Sequence, residues 1–218
     1  MKKKVVVFSQ IDLEILEKLQ EKYQVSIINP KIGDVNAQIL KEVKDADGLI
    51  GAGRLLNESN LSSATQLKII SSVSVGYDNY DLNYLNQQKI LLCNTPHVLT
   101  ESTADLAFTL LMSSARKVPS LDVWVKNGEW KRTVGVGQFG LDVHGKTLGI
   151  IGLGHIGAAI ARRGFYGFNM NILYHNRKPK LEVAQSLNAE YCELNDLLKR
   201  ADFIVVAVDL NAESKALI

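Results

Sequence analysis

The chain has 218 residues, 46% of them hydrophobic and 22% charged, with a formal net charge of +2 and a pI near 8.4. Near-balanced acids and bases exclude a nucleic-acid-binding surface, and no apolar run reaches membrane-spanning length. A cytoplasmic protein of two modest domains is expected, with no nucleic-acid or membrane partner.

At the amino terminus, MKKKVVVF carries an apolar run too short for a secretory signal. Lys4 to Phe8 reads instead as a strand, followed by an amphipathic helix from Asp12 to Lys22 with Asp12 as its cap and Leu13, Leu16 and Leu19 on one stripe. Further strands are expected at 24–28, 48–50, 67–72 and 90–92, with helices around 37–43, 59–64 and 81–88. Such alternation calls for a parallel sheet covered on both faces. Near Thr95-Pro96 the pattern changes to a long helix, Thr100 to Arg116, placing a domain boundary between residues 98 and 99. An irregular segment with Pro119, Trp124 and Trp130 leads to a second series of strands at 147–151, 170–174, 189–192 and 203–208. Cys93 and Cys192 lack CxxC spacing and clustered histidines; both are expected to be packing residues, with no disulfide and no metal site.

Gly152, Gly154 and Gly157 in GLGHIG satisfy GxGxxG. The motif is weak alone, but here it directly follows the strand LGII and opens a helix, expected from Ile156 to Phe165. In that setting Gly152 makes the tight turn and Gly154 admits a pyrophosphate. The helix N-terminus, through His155, Ile156 and Gly157, offers N–H groups to it. An acidic residue normally ends the next strand and binds the adenosine ribose. Asn176 stands there, nineteen positions after Gly157, followed by Arg177 and Lys178. An amide does not repel a 2′-phosphate, and a guanidinium pairs with one, so NADPH is the expected cofactor, with NADH the second choice. The plainer alternative is that Arg177 and Lys178 form a solvated turn.

With these motifs in place, the sequence resembles the D-isomer-specific 2-hydroxyacid dehydrogenases. The resemblance is carried by SVSVGYDNYD (Ser72 to Asp81), KILLCNTPHVLTESTAD (Lys89 to Asp105), KNGEW (Lys126 to Trp130), DVHGKTLGIIGLGHIG (Asp142 to Gly157) and GFNMNILYHNRK (Gly167 to Lys178). It implies two doubly wound α/β domains: a flavodoxin-like substrate domain at 1–98 and an NAD(P)-binding Rossmann domain at 99–218. It implies a homodimer that reduces a small 2-keto acid (glyoxylate, hydroxypyruvate or 2-ketogluconate) to the D-2-hydroxy acid. By the same resemblance Val75 and Gly76 hold the substrate carboxylate through their backbone, and Thr103 approaches the nicotinamide; the plainer readings are a simple turn and a helix cap.

The family's catalytic arginine, glutamate and histidine have no counterpart in these residues, and none of His97, His144, His155 or His175 sits in a matching motif. The second series stops soon after its fourth strand, so the Rossmann domain is expected to be incomplete at its C-terminus and the chain inactive or nearly so. Asp209 stands where the family usually has proline. The reading from another class is a non-catalytic dinucleotide-binding or dimerisation module.

Overall fold

A computed structural model of the chain describes residues 2–211 and 213–217. They form two compact units, Met1–Val98 and Leu99–Ile218. The first contains β1 (Lys4–Val7), α1 (Leu13–Lys22), β2 (Gln24–Ile27), α2 (Val35–Glu42), β3 (Gly48–Gly51), α3 (Glu58–Leu61), β4 (Ile69–Ser72), α4 (Leu82–Gln87) and β5 (Leu91–Cys93). Its strands pair in parallel, as the alternation called for, in the order β2-β1-β3-β4-β5, the doubly wound, flavodoxin-like arrangement that the family resemblance implies. Acidic caps start the helices: Asp12, Asp34 and Asp81 accept N–H groups of the first turns of α1, α2 and α4. Val6, Leu49 and Ile70 from neighbouring strands are fully buried in one cluster with Ile39 and Val43.

Helix α1 carries the expected stripe, with Leu16 and Leu19 half-buried and Leu13 74% exposed, where α1 packs against the edge strand β2. One expectation for this unit is corrected. Cys93 is exposed at the end of β5, the opposite edge strand, so it is not a packing residue.

The second unit contains α5 (Thr100–Ala115), α6 (Val118–Lys126), β6 (Thr147–Ile151), α7 (His155–Arg162), β7 (Asn171–His175), α8 (Leu181–Ser186), β8 (Glu190–Tyr191), α9 (Leu194–Arg200) and β9 (Phe203–Val206). Its parallel sheet runs β8-β7-β6-β9, so the order reverses between β6 and β9 and opens a crevice at their carboxyl ends. The stretch around Pro119 and Trp124 is helix α6, not irregular chain. Pro119 lies in its first turn, where a missing N–H breaks no helical bond. Helix α7 ends at Arg162, short of the expected Phe165, and Arg163–Gly167 forms a wider π turn whose Gly164 carbonyl accepts the N–H of Met170. Cys192 is buried, and burial pushes its thiol pKa up.

The two units repeat one device. Asp47, just before β3, takes the N–H of Lys4 on its carboxylate and donates its own N–H to the Lys4 carbonyl. Asp202, just before β9, does the same for Thr147. Each aspartate thus fixes the register of its unit's first strand against the strand beside it. Among the described residues no group of three or more His, Cys, Asp or Glu could hold a metal ion, and no helix is long and apolar enough to cross a membrane.

Candidate functional site

The glycine turn lies at the sheet's reversal point, between the end of β6 and the start of α7. Gly152 has φ of +100°, a left-handed conformation that favours glycine, and its N–H donates to the carbonyl of His175 on β7. A Cβ at Gly152 would stand 2.4 Å from the Ala207 carbonyl oxygen, and one at Gly157 would stand 2.0 Å from the Gly152 carbonyl oxygen. Both glycines are therefore required by the protein's own backbone contacts. Gly154 is different: a Cβ there would meet nothing within 4 Å. It caps α7, whose N-terminal dipole end faces this open ground. The turn fits a pyrophosphate, since two glycines close it and the third keeps its outer side bare.

Asn176 reaches this turn. Its side-chain oxygen accepts the backbone N–H of Leu153 at 2.6 Å, and Leu153 is only 1% exposed. A buried N–H needs an acceptor, and Asn176 supplies it. The loop that follows is held by two tyrosines that the sequence marks only as strand residues. Tyr191 donates its hydroxyl to the Asn176 carbonyl (3.4 Å) and stacks on His175, and Tyr174 accepts the N–H of Lys180 (3.2 Å). Between these anchors Arg177 and Lys178 are exposed. Arg177 Nη1 contacts Glu213 Oε2 at 2.7 Å, a pairing that no motif or spacing in the chain signals.

His155 is the first residue of α7, exposed, and Ile156 beside it is half-buried. Thr103 is half-buried in the first turn of α5, with its N–H donating to the Leu99 carbonyl; no hydrogen bond among the described residues ties its side chain to the glycine turn. Helix α5 does pack on α7, and Glu101 and Asp105 pair there with Arg162 and Arg163. Of the other histidines, His97 follows β5 in a left-handed conformation (φ +69°), and His144 is exposed in the turn before β6. His175 sets Nδ1 3.0 Å from the Cys192 carbonyl.

In the first unit the loop after β4 is pinned by its carbonyls. Ser74 donates its hydroxyl to the Gly76 carbonyl (2.7 Å), Asn94 donates its amide to the Val75 carbonyl (2.9 Å), and Thr95 donates its N–H to the Ser74 carbonyl (3.0 Å). Behind Ser74 lies the buried Ser72 hydroxyl, 2.7 Å away, which accepts from the buried Tyr80 hydroxyl at 3.0 Å. Burial raises the Tyr80 pKa, keeping it a donor. With three successive carbonyls engaged, the N–H groups of Val75 and Gly76 donate to no group among the described residues. Two adjacent N–H groups of this kind are able to donate hydrogen bonds to an anion's oxygen atoms.

Fold and turn together define a dinucleotide-binding α/β protein. The family described as D-isomer specific 2-hydroxyacid dehydrogenase, NAD binding domain, matches residues 108–218. The chain belongs to this family. It is 41% identical over 217 residues to glyoxylate/hydroxypyruvate reductase B of Escherichia coli (strain K12), covering 98% of the chain and 66% of that relative's length. Among solved structures it is similar to the TT0316 protein of Thermus thermophilus (34% identity, TM-score 0.83, covering 98% of this chain and 67% of that one). It is also similar to a glyoxylate reductase from Paecilomyes thermophila (27% identity, TM-score 0.84, covering 100% of this chain and 68% of that one).

Proposed function

We propose that the chain is the core of an NADPH-dependent reductase of small 2-keto acids, with glyoxylate, hydroxypyruvate and 2-ketogluconate as the candidate substrates. In this reading unit 99–218 holds the cofactor and unit 1–98 receives the substrate. Bound at the glycine turn, a reduced nicotinamide dinucleotide supplies the hydride that converts a 2-keto acid to the D-2-hydroxy acid. Gly154 and the first turn of α7 receive its pyrophosphate, and Asn176 holds the turn in shape. Arg177 and Lys178 neutralise a 2′-phosphate. Val75 and Gly76 hold the substrate carboxylate with their N–H groups, and Thr103 lies toward the nicotinamide.

The observation that carries the cofactor preference is the loop 176–180: an amide turned inward onto Leu153, no carboxylate of its own, and the exposed cations Arg177 and Lys178 directly after the amide, with tyrosine supports on either side. Calorimetric titration of the 218-residue chain with NADPH and NADH tests it. NADPH is expected to bind more tightly, and Arg177→Ala to remove most of the difference, about 1.5–3 kcal/mol for a hydrogen bond to a charged group. Equal affinities before and after the substitution reject the reading.

None of the four histidines is assigned as the proton donor, and no arginine here matches the family's carboxylate clamp. The 218 residues alone are therefore proposed to bind without appreciable turnover, since loss of a general acid costs a factor of about 10² to 10⁴. The absorbance of NADPH, followed with each keto acid, checks this. A cytoplasmic setting is proposed because the exposed free thiol of Cys93 suits a reducing compartment. A homodimer is proposed as well. Within unit 99–218, Leu106, Leu110, Val123, Trp130, Val136 and Phe139 are all more than half exposed, apolar surface of the kind that seeks a partner.

A further inference from the structure

We infer that Glu213 is a built-in competitor of the cofactor's 2′-phosphate, occupying Arg177 when no phosphate is present and thereby setting how strongly the protein prefers NADPH over NADH. The inference rests on the reading that Arg177 meets the 2′-phosphate.

The two residues come from opposite sides of the glycine turn. Arg177 follows β7, and Glu213 follows β9, on the other side of β6 in the sheet. Their side chains meet at 2.7 Å although they are 79% and 70% exposed. Glu213 is presented by a local scaffold. Asn211 accepts the N–H groups of Glu213 (2.9 Å) and Ser214 (3.0 Å) on its side-chain oxygen, and Ser214 donates its hydroxyl to the Asp209 carbonyl (2.5 Å). The turn that begins at Asp209 thus aims a carboxylate at the one guanidinium in the 176–180 loop.

A carboxylate oxygen on a guanidinium stands in the place a phosphate oxygen would take. NADPH must therefore displace Glu213 or bind beside it, against like-charge repulsion, whereas NADH lacks the phosphate and leaves the pair intact. An exposed pair is weak, worth at most about fivefold in an equilibrium. Displacement therefore costs little, and the phosphate still gains Arg177 and its neighbour Lys178. Glu213 lowers NADPH affinity without blocking the site.

The test is direct binding of NADPH and NADH to the full chain, its Glu213→Gln and Arg177→Ala variants, and the double variant, by calorimetry at low salt and again at high salt. Glu213→Gln is expected to tighten NADPH about two- to fivefold and to change NADH less than about 1.5-fold. The gain should shrink at high salt, where screening weakens exposed charge pairs, and should be smaller when Arg177 is already Ala. If Arg177→Ala weakens NADPH while Glu213→Gln changes nothing, the competitor role is overturned and the phosphate site stands. Equal tightening of both cofactors by Glu213→Gln also overturns it. If neither substitution affects either cofactor, the phosphate site itself falls. The side chain is exposed and its backbone scaffold is untouched, so Glu213→Gln should melt at the wild-type temperature, which a thermal scan verifies.

Discussion

The side-chain oxygen of Asn176 and the backbone N–H of Leu153 lie 2.6 Å apart, joining the loop after β7 to the turn after β6. Asn176 is therefore first a support for the glycine turn and, under the proposed cofactor reading, second a surface next to the ribose. Asparagine and aspartate are equivalent in the first role and opposed in the second. Asn176→Asp should keep the bond and the melting temperature but repel a 2′-phosphate, moving the NADPH-to-NADH affinity ratio toward NADH by about tenfold, or ~1.4 kcal/mol. Asn176→Ala should leave the buried Leu153 N–H without its acceptor and lower stability by about 1–3 kcal/mol. Paired melting and titration curves separate the two roles.

The three glycines of the turn should divide the same way. Gly157→Ala sets a Cβ 2.0 Å from the Gly152 carbonyl oxygen, so it is expected to lower the melting temperature by forcing α7 off the turn. A Cβ at Gly154 meets nothing in the protein within 4 Å, so Gly154→Val should leave the circular dichroism largely unchanged and lower melting only by the loss of a good helix cap, yet abolish dinucleotide binding by filling the pyrophosphate's approach. Dinucleotide binding that survives Gly154→Val would make the turn purely structural.

The α/β class and the glycine turn were legible in the sequence because they rest on local signals: β-branched runs, acidic caps, and glycines at fixed offsets. Features that depend on distant partners were not. Tyr191 and Tyr174 read as strand residues, and only the pairing of β8 with β7 brings Tyr191 to the 176–180 loop. Glu213 lies 36 residues from Arg177, in a turn no periodicity marks. Helix α6 was obscured by Pro119, which breaks a helix in its interior but suits its first turn. The exposure of Leu13 and Cys93 follows from strand order, since β2 and β5 are the edges of their sheet, and edge position is invisible in a single segment.

Acid stability of the first unit should depend on the contacts around Glu42. The Ser26 hydroxyl, 2.8 Å away, and then the Lys4 ammonium, 3.0 Å away, hold the Glu42 carboxyl below its usual pKa of 4.5. A depressed carboxylate stabilises the fold at pH above its unfolded pKa, and the contribution disappears as pH falls through the lower folded value. Wild type should therefore lose stability as pH drops below about 4.5, and Glu42→Gln should start less stable at neutral pH but show a flatter acid limb. Urea melts at stepped pH check this, and parallel curves for the two proteins would remove Glu42 from the account.

The loop after β4 gives the last prediction. Thr95 and Asn94 hold the carbonyls of Ser74 and Val75, and the same two peptide planes carry the N–H groups of Val75 and Gly76, which donate to no group among the described residues. If these two N–H groups receive a carboxylate, glyoxylate titrated into isotopically labelled protein should move the amide resonances of Val75 and Gly76 more than those of the rest of the unit. Asn94→Ala removes one anchor while leaving both N–H groups present. It should cost about 0.5–1.5 kcal/mol in the pinned geometry and weaken glyoxylate binding by a similar amount, with the sheet unchanged. Ser74→Ala frees the Gly76 carbonyl, whose peptide plane carries the Tyr77 N–H, so it should weaken glyoxylate binding less than Asn94→Ala; it also takes away the Ser72 contact at 2.7 Å, though Tyr80 still bonds Ser72 and limits the damage. Glyoxylate that shifts neither amide in the wild-type chain would refute the assignment of Val75 and Gly76 as the carboxylate receptor, whatever the variants did to stability.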